Sequence, residues 1–159
     1  MINCVDITPL ALQKLLYYAQ GFFKAFTDDF LFYNNCEAWI HGPVYRSVYY
    51  KYKNYGYNPI EENECYYTDI ELDKIEKEIL DNVIRNFGCY SGKVLEKMTH
   101  AETPWSSTRV GLRDDVNSER IIEKELIAKY FHDIKLKHNM LNISDISDYS
   151  IDLFNKLYR

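Results

Sequence analysis

From Leu12 onward the chain repeats apolar residues at helical spacing. Leu12, Leu15, Leu16, Ala19, Phe22, Phe23 and Phe26 fall on one face, the pattern of an amphipathic helix. Thr8-Pro9 supplies its start, because threonine can accept from free amides and proline loses nothing in a first turn. The helix is predicted to end near Thr27, before Asp28-Asp29. Two short apolar runs follow, Phe30-Leu31-Phe32 and Cys36 to Ile40, on either side of Tyr33-Asn34-Asn35. They predict a small β-hairpin that must pack on helices to persist. Gly42-Pro43 is expected to end the second strand. Pro43 then opens a helix to about Asn54, with Gly56 closing it.

Tyr57 to Tyr67 reads as loop. Thr68-Asp69, with Glu71 behind it, predicts a capped start for a helix carrying Leu72, Ile75, Ile79, Val83 and Phe87 and stopped by Gly88. Ser91 caps a short helix with Val94, Leu95 and Met98, and Thr103-Pro104 begins another with Trp105. Residues 111–118 read as loop. From about Ser118 a further stripe runs through Ile122, Leu126, Tyr130 and Ile134, flanked by Ile127 and Phe131. Asn139 to Ser147 is polar and linker-like, and Ile146, Tyr149, Leu153, Phe154 and Leu157 predict a terminal amphipathic helix. The sum is a mainly α, compact helical domain of five to seven helices with one small β-hairpin.

Length and an apolar fraction of 47% are those of one globular domain over 159 residues. Composition changes the picture mainly through its 15 tyrosines, which suit half-buried cores and contact surfaces alike. The net charge of −5, from 19 basic and 24 acidic residues, disfavours generic nucleic-acid binding and anionic membranes. A basic or neutral protein partner fits that sign better. No apolar run approaches the roughly 20 residues needed to cross a bilayer. Cys4, Cys36, Cys65 and Cys89 are never closer than 24 positions, which excludes the close pairs of a zinc site. With no signal-peptide pattern at its start, the chain is expected in a reducing cytoplasm.

The sequence offers little for catalysis. His41, His100, His132 and His138 lack the spacing of a zinc helix, and phosphate-binding glycine loops are absent. Cys36 with His41, or Ser91 with His100, would be the nucleophile–base pairs, but no motif supports either. The Glu61, Glu62 and Glu64 run reads as a solvated loop. Tyr45 to Lys53 interleaves rings with cations. At helical spacing Tyr45, Val48, Tyr49 and Tyr52 share a core-like face, and Arg46, Tyr50 and Lys53 a wet one. Trp39 and Trp105 are the remaining anchors for binding.

Three strings carry a resemblance: Leu12-Gln13-Lys14-Leu15-Leu16-Tyr17-Tyr18-Ala19-Gln20-Gly21, then Glu37-Ala38-Trp39-Ile40-His41-Gly42-Pro43-Val44, then Thr99-His100 with Pro104-Trp105. In this order they resemble the Panacea domain family, which includes SocA-like antitoxins and phage-associated proteins. The resemblance runs from about Thr8 to Phe131. It divides the chain into a Panacea-like helical domain, 1–138, and a linker with a C-terminal amphipathic helix, 139–159. Many members carry a helix and turn before the Leu-Gln-Lys segment, whereas seven residues precede Thr8 here.

The resemblance implies a cytoplasmic, non-enzymatic antitoxin of a toxin–antitoxin system, without cofactor or metal. Its partner would be a protein toxin encoded by an adjacent gene on a prophage or other mobile element. Direct binding would neutralise that toxin, with presentation to a bacterial protease or chaperone as a further route. The residues expected to meet the partner are Trp39, His41, Tyr45, Arg46 and Trp105. The competing reading is a phage or prophage regulator that contacts DNA or the transcription machinery.

Overall fold

The structure, a computed structural model, describes residues 6–61 and 70–159. Among them are seven α-helices: α1 (Pro9–Thr27), α2 (Arg46–Tyr52), α3 (Lys74–Phe87), α4 (Gly92–His100), α5 (Thr103–Thr108), α6 (Lys124–Lys137) and α7 (Ile146–Tyr158). A small antiparallel sheet of β1 (Cys36–Trp39), β2 (Gly42–Val44) and β3 (Ile121–Ile122) has the order β2-β1-β3. The fold is mainly α, as its periodicity predicts.

α1 begins as expected, with the Thr8 hydroxyl accepting from the Ala11 amide and Pro9 in the first turn. Its burial is not that of an amphipathic helix. Ala11, Gln13, Lys14, Leu15 and every residue from Tyr17 to Phe23 are buried, because α3, α4, α6 and β2 pack around it. Gln13, Lys14 and Gln20 occupy the side that the sequence marks as polar, and each is spent on backbone. The Gln13 amide both accepts from the Tyr45 amide (2.8 Å) and donates to the Tyr45 carbonyl (3.2 Å). Lys14 Nζ donates to the Pro43 carbonyl at 3.0 Å. Gln20 donates to the Phe32 carbonyl and accepts from the Leu31 amide at 2.8 Å.

These bonds explain why the hairpin lies elsewhere than predicted. With Gln20 satisfying Leu31 and Phe32, residues 30–32 form no strand. β1 pairs instead with Gly42–Val44 across a turn at Ile40-His41, in the register Glu37–Val44 and Trp39–Gly42. Gly42 is required there: its φ is +103°, and an added Cβ would sit 2.7 Å from Lys14 Cε. Pro43 lies in β2 and does not open a helix, because an edge strand tolerates a missing donor. The other edge of β1 takes Ile121–Ile122, so the stripe predicted from Ser118 becomes helical only at Lys124. β-Branched residues suit that strand, and Ile122 is fully buried.

α2 starts at Arg46, three residues after the proline, and continues into a 3-10 turn over Lys53–Tyr55 that ends at Gly56. None of its residues is fully buried, and the face read as core is half-buried: Val48 packs against the core, Tyr49 and Tyr52 are partly covered, and Tyr50 and Lys53 are exposed. The predicted Thr68-Asp69 cap, with Glu62 and Glu64, lies outside the described residues. α3 is capped by Asp73, reciprocally with Glu76, which leaves Leu72 and Ile75 exposed. α4 starts at Ser91 as predicted, through its bond from Val94. Asn139 takes a left-handed turn, Met140 is buried, and α7 then packs against α3 and α4.

Rings fill the centre. Tyr18 stacks on Phe87 with centroids 4.0 Å apart, and Phe131 meets Tyr17 and Phe22 edge-on at 5.4 and 4.9 Å. Within this apolar mass lies Glu102, almost wholly buried. It accepts from the Tyr18 hydroxyl at 3.1 Å and from Tyr149, whose oxygen is 2.7 Å from that of Tyr130. Burial raises the Glu102 carboxyl from 4.5 to about 8, against the hydroxyls, which favour the carboxylate.

Two outcomes follow from this packing. Gly21→Ala would ordinarily strengthen a helix by about 1 kcal/mol. Here the new Cβ would lie 2.2 Å from the Phe131 ring. The substitution should destabilise by about 1–3 kcal/mol, and a smaller side chain at Phe131 should recover part of the loss in urea titrations. The folded chain also holds the Glu102 proton more tightly than the unfolded chain. That contribution is full below about pH 4.5 and is lost as pH rises to about 8. Stability should therefore fall by a few kcal/mol across that window, and Glu102→Gln should flatten the slope. Equal slopes in both proteins would show that Glu102 titrates normally.

Candidate functional site

The hairpin tip, α2 and the loop after α5 meet on one side of the molecule. Trp39 ends β1 and is half-exposed. Its ring meets Tyr49 edge-on at 4.8 Å, and Tyr49 meets Tyr50 at 5.5 Å. The Arg46 guanidinium lies 5.7 Å from the Trp39 ring. It also grips Glu37 through two bonds, Nη2 at 2.6 Å and Nε at 2.8 Å, and reaches Glu119 at 2.9 Å. Fork-to-fork geometry of this kind fixes a guanidinium more firmly than a single bond does. The Arg46 bonds hold the Glu37 carboxyl below its usual range. Arg46 thus ties β1, α2 and the segment before β3 into one surface.

Beneath this surface Trp105 and Arg109 hold the strand. Trp105 Nε1 donates to the Trp39 carbonyl at 2.7 Å, and Arg109 Nη1 to the Ala38 carbonyl at 3.0 Å. Arg109 also bonds the carbonyls of Arg113 and Val116, and Asn117 accepts from the Ile40 amide at 3.0 Å, so the 109–117 loop is shaped around the hairpin. His100 stacks on Trp105 with centroids 3.8 Å apart, and burial holds its pKa down. Proline at the start of α5 sets Trp105 in the first turn of that helix.

The five residues expected to meet a partner therefore divide. Trp39 and Arg46 are half-exposed on the surface. His41 is exposed at the turn, with Nδ1 3.0 Å from Glu96, which Lys93 also reaches at 3.1 Å. Burial alone would raise Glu96, but its hydrogen bonds with His41 and Lys93 hold its pKa down. Tyr45 and Trp105 are buried and shape the surface from below. The sequence reading placed Tyr50 on a wet face, where it is exposed, but assigned Tyr49 to a core-like face, whereas Tyr49 is only half-buried against Trp39. It also missed Gln13, Lys14, Glu102 and Arg109. Gln13 and Lys14 are marked only as polar residues inside a largely apolar string, and Glu102 and Arg109, in polar surroundings, carry no signal at all.

The chemistry of the proposed nucleophiles is unpromising. Burial pushes the Cys36 thiol up to about 12, whereas a reactive thiol needs the opposite shift. Cys89 is exposed, and Cys4 and Cys65 lie outside the described residues. Ser91 is engaged as the cap of α4. Burial lowers Lys14 to about 7, but its ammonium lies under Gly42 and Pro43, away from solvent. Among the described residues no group of three or more His, Cys, Asp or Glu side chains could hold a metal ion. No helix among them is long and apolar enough to cross a membrane.

The family described as antitoxin SocA-like, Panacea domain matches residues 12–106, more than half of the chain. The matched stretch runs from the first turn of α1 into α5 and takes in both the hairpin and α2. No curated protein and no solved structure matches. The chain belongs to the antitoxin SocA-like, Panacea domain family.

Proposed function

We propose that this chain is a cytoplasmic antitoxin that neutralises a protein toxin, encoded by an adjacent gene, through direct stoichiometric binding. It makes and breaks no bond itself. The observation that carries the reading is α2, a helix with no buried residue, set among exposed rings. Tyr33 is 76% exposed, Tyr50 54% and Tyr57 88%. Residues 33–35 and 45–58 are almost wholly Tyr, Asn, Ser, Gly, Lys and Arg. Protein-binding loops favour that chemistry, because tyrosine gives large contact area with few torsions to freeze and small polar residues adapt their hydrogen bonds.

Trp39, Arg46 and His41 extend the tyrosine surface to the hairpin tip. A specific interface of ordinary size buries about 1,600 Å² in total, with a few aromatic or arginine anchors dominating. Covering the toxin in this way would leave it inactive, or held for a bacterial protease. In that second route the antitoxin is an adaptor, and its own surface serves the toxin first.

Co-expression with the neighbouring gene tests the proposal. The neighbour's product should arrest growth alone, be harmless with this chain, and co-purify with it. Trp39→Ala and Tyr50→Ala should each weaken the pair by about 2 kcal/mol in calorimetric titrations, with folding intact. A neighbour that is harmless alone, or one that never co-purifies, would sink the reading.

A further inference from the structure

We propose that residues 1–5 fold back into the cleft between the start of α1 and the turn from α3 to α4, where Cys4 meets Cys89 in a thiol pair that peroxide closes to a disulfide. Such a pair goes beyond the antitoxin reading and does not depend on it.

The cleft holds a pocket of about 300 Å³. Asp6, Ile7, Ala11 and Leu15 line one side, and Gly88 and Cys89 the other. Its walls are fixed. A Cβ on Gly92 would lie 3.1 Å from Leu10, so the start of α4 sits close against α1, and Ser91 caps that start through the Val94 amide. The Ile60 amide donates to the Ile7 carbonyl at 2.9 Å, which holds the segment before α1. Cys89 is exposed, whereas Cys36 is buried, so among the described cysteines Cys89 is the one a reagent can reach.

The occupant is argued from where the described chain stops. Asp6 stands in the wall of the pocket with φ +36°, a left-handed backbone that aspartate tolerates and that bends the chain as it leaves α1. The five residues before it are Met1, Ile2, Asn3, Cys4 and Val5, apolar except for Asn3. A dry cavity of about 150 Å³ accepts a benzene ring, so this pocket has room for about two such side chains. A tether of a few residues gives them an effective concentration of about a millimolar or more, ahead of any free competitor.

Cys4 precedes Asp6 by two residues, so its Cα lies within about 7 Å of that of Asp6. A disulfide joins Cα atoms about 4–7 Å apart. Together these spans cross a pocket of about 300 Å³, which is about 8 Å wide if round. Cys65 is the rival, since Ile60 is held beside Ile7, but it stands five residues beyond Ile60 and the longer loop costs more to close.

The chemistry balances with hydrogen peroxide as oxidant. One thiolate attacks it, keeps one oxygen as a sulfenic acid and releases the other as water. The second thiolate attacks that sulfur, the S–S bond forms, and the S–O bond breaks to release a second water. The two sulfurs lose two electrons, which the peroxide accepts. Partial burial pushes the Cys89 thiol up, so its thiolate is scarce at neutral pH and closure should speed as the pH rises toward about 9.

The test uses the full-length chain, reduced, treated with hydrogen peroxide, blocked at its free thiols and read by peptide mass spectrometry. A Cys4–Cys89 bridge within one chain should be the main bridged product, with Cys36 and Cys65 blocked. It should form at least tenfold more slowly in Val5→Asp, which sets a charge against the apolar cleft, and at the original rate in Val5→Leu. The preference for this pair should disappear in urea, where the cleft is gone. A Cys65–Cys89 or Cys4–Cys65 bridge, a disulfide-linked dimer or no bridge would overturn the pairing. A Val5→Asp rate equal to that of the original chain would overturn the seating of residues 1–5. Each of these failures leaves the antitoxin reading standing, because no toxin takes part.

Discussion

The bonds that Gln13 and Lys14 make from α1 to β2 and the residue after it are the constraint on which the candidate surface depends. A hairpin of four and three residues is marginal by itself in water. Here the Pro43 carbonyl receives a buried ammonium, and both backbone groups of Tyr45 receive one buried amide. Burying an ammonium is costly, and the fall of Lys14 to about 7 expresses that cost. Removing the carbonyl would leave the charge without its acceptor, so the strand and the helix are held in one relative position. Arg46 and Trp39 then start from fixed points, and the exposed rings of α2 stand on a rigid base.

The helices were legible in the sequence wherever one face meets the core. α3, α4, α6 and α7 follow their stripes, because each packs on a neighbour along one side and faces water along the other. α1 was legible as a helix but not as the central one. A helix surrounded by others should read as apolar all round, and Gln13, Lys14 and Gln20 break that pattern. They are buried because each satisfies a backbone group of the hairpin or of an irregular segment beside it, and single-sequence periodicity carries no sign of such long-range bonds.

The sheet was less legible for a related reason. Asn34-Asn35 between two apolar runs is an ordinary hairpin signal, and Gly42-Pro43 an ordinary strand stop. Gln20 decided the first by taking the backbone of Leu31 and Phe32. The second was decided by an edge position, where proline costs no ladder bond. Ile121–Ile122 is too short to stand out, and its strand exists only because β1 has an unfilled edge. At the candidate site, Trp39 and Arg46 were legible through the rarity of exposed anchors. Tyr49 was not, since helical spacing alone cannot say whether a ring stripe faces protein or solvent.

Strongly shifted titratable groups usually mark a reactive site. Here the two largest carboxyl and ammonium shifts belong to groups sealed in the interior, and the reason is packing. Glu102 illustrates this further. It lies within the stretch that matches the family, yet one of its hydroxyl donors is Tyr149 of α7, and Tyr149 is in turn bonded to Tyr130 of α6. Phe131 of α6 fills the space that Gly21 leaves open on α1. The matched stretch therefore does not close its own core. Helices beyond it supply the rings against which α1 is packed, and through α1 they set the position of the hairpin. The helix that Phe131 packs against is thus the same one whose Gln13 and Lys14 hold the hairpin.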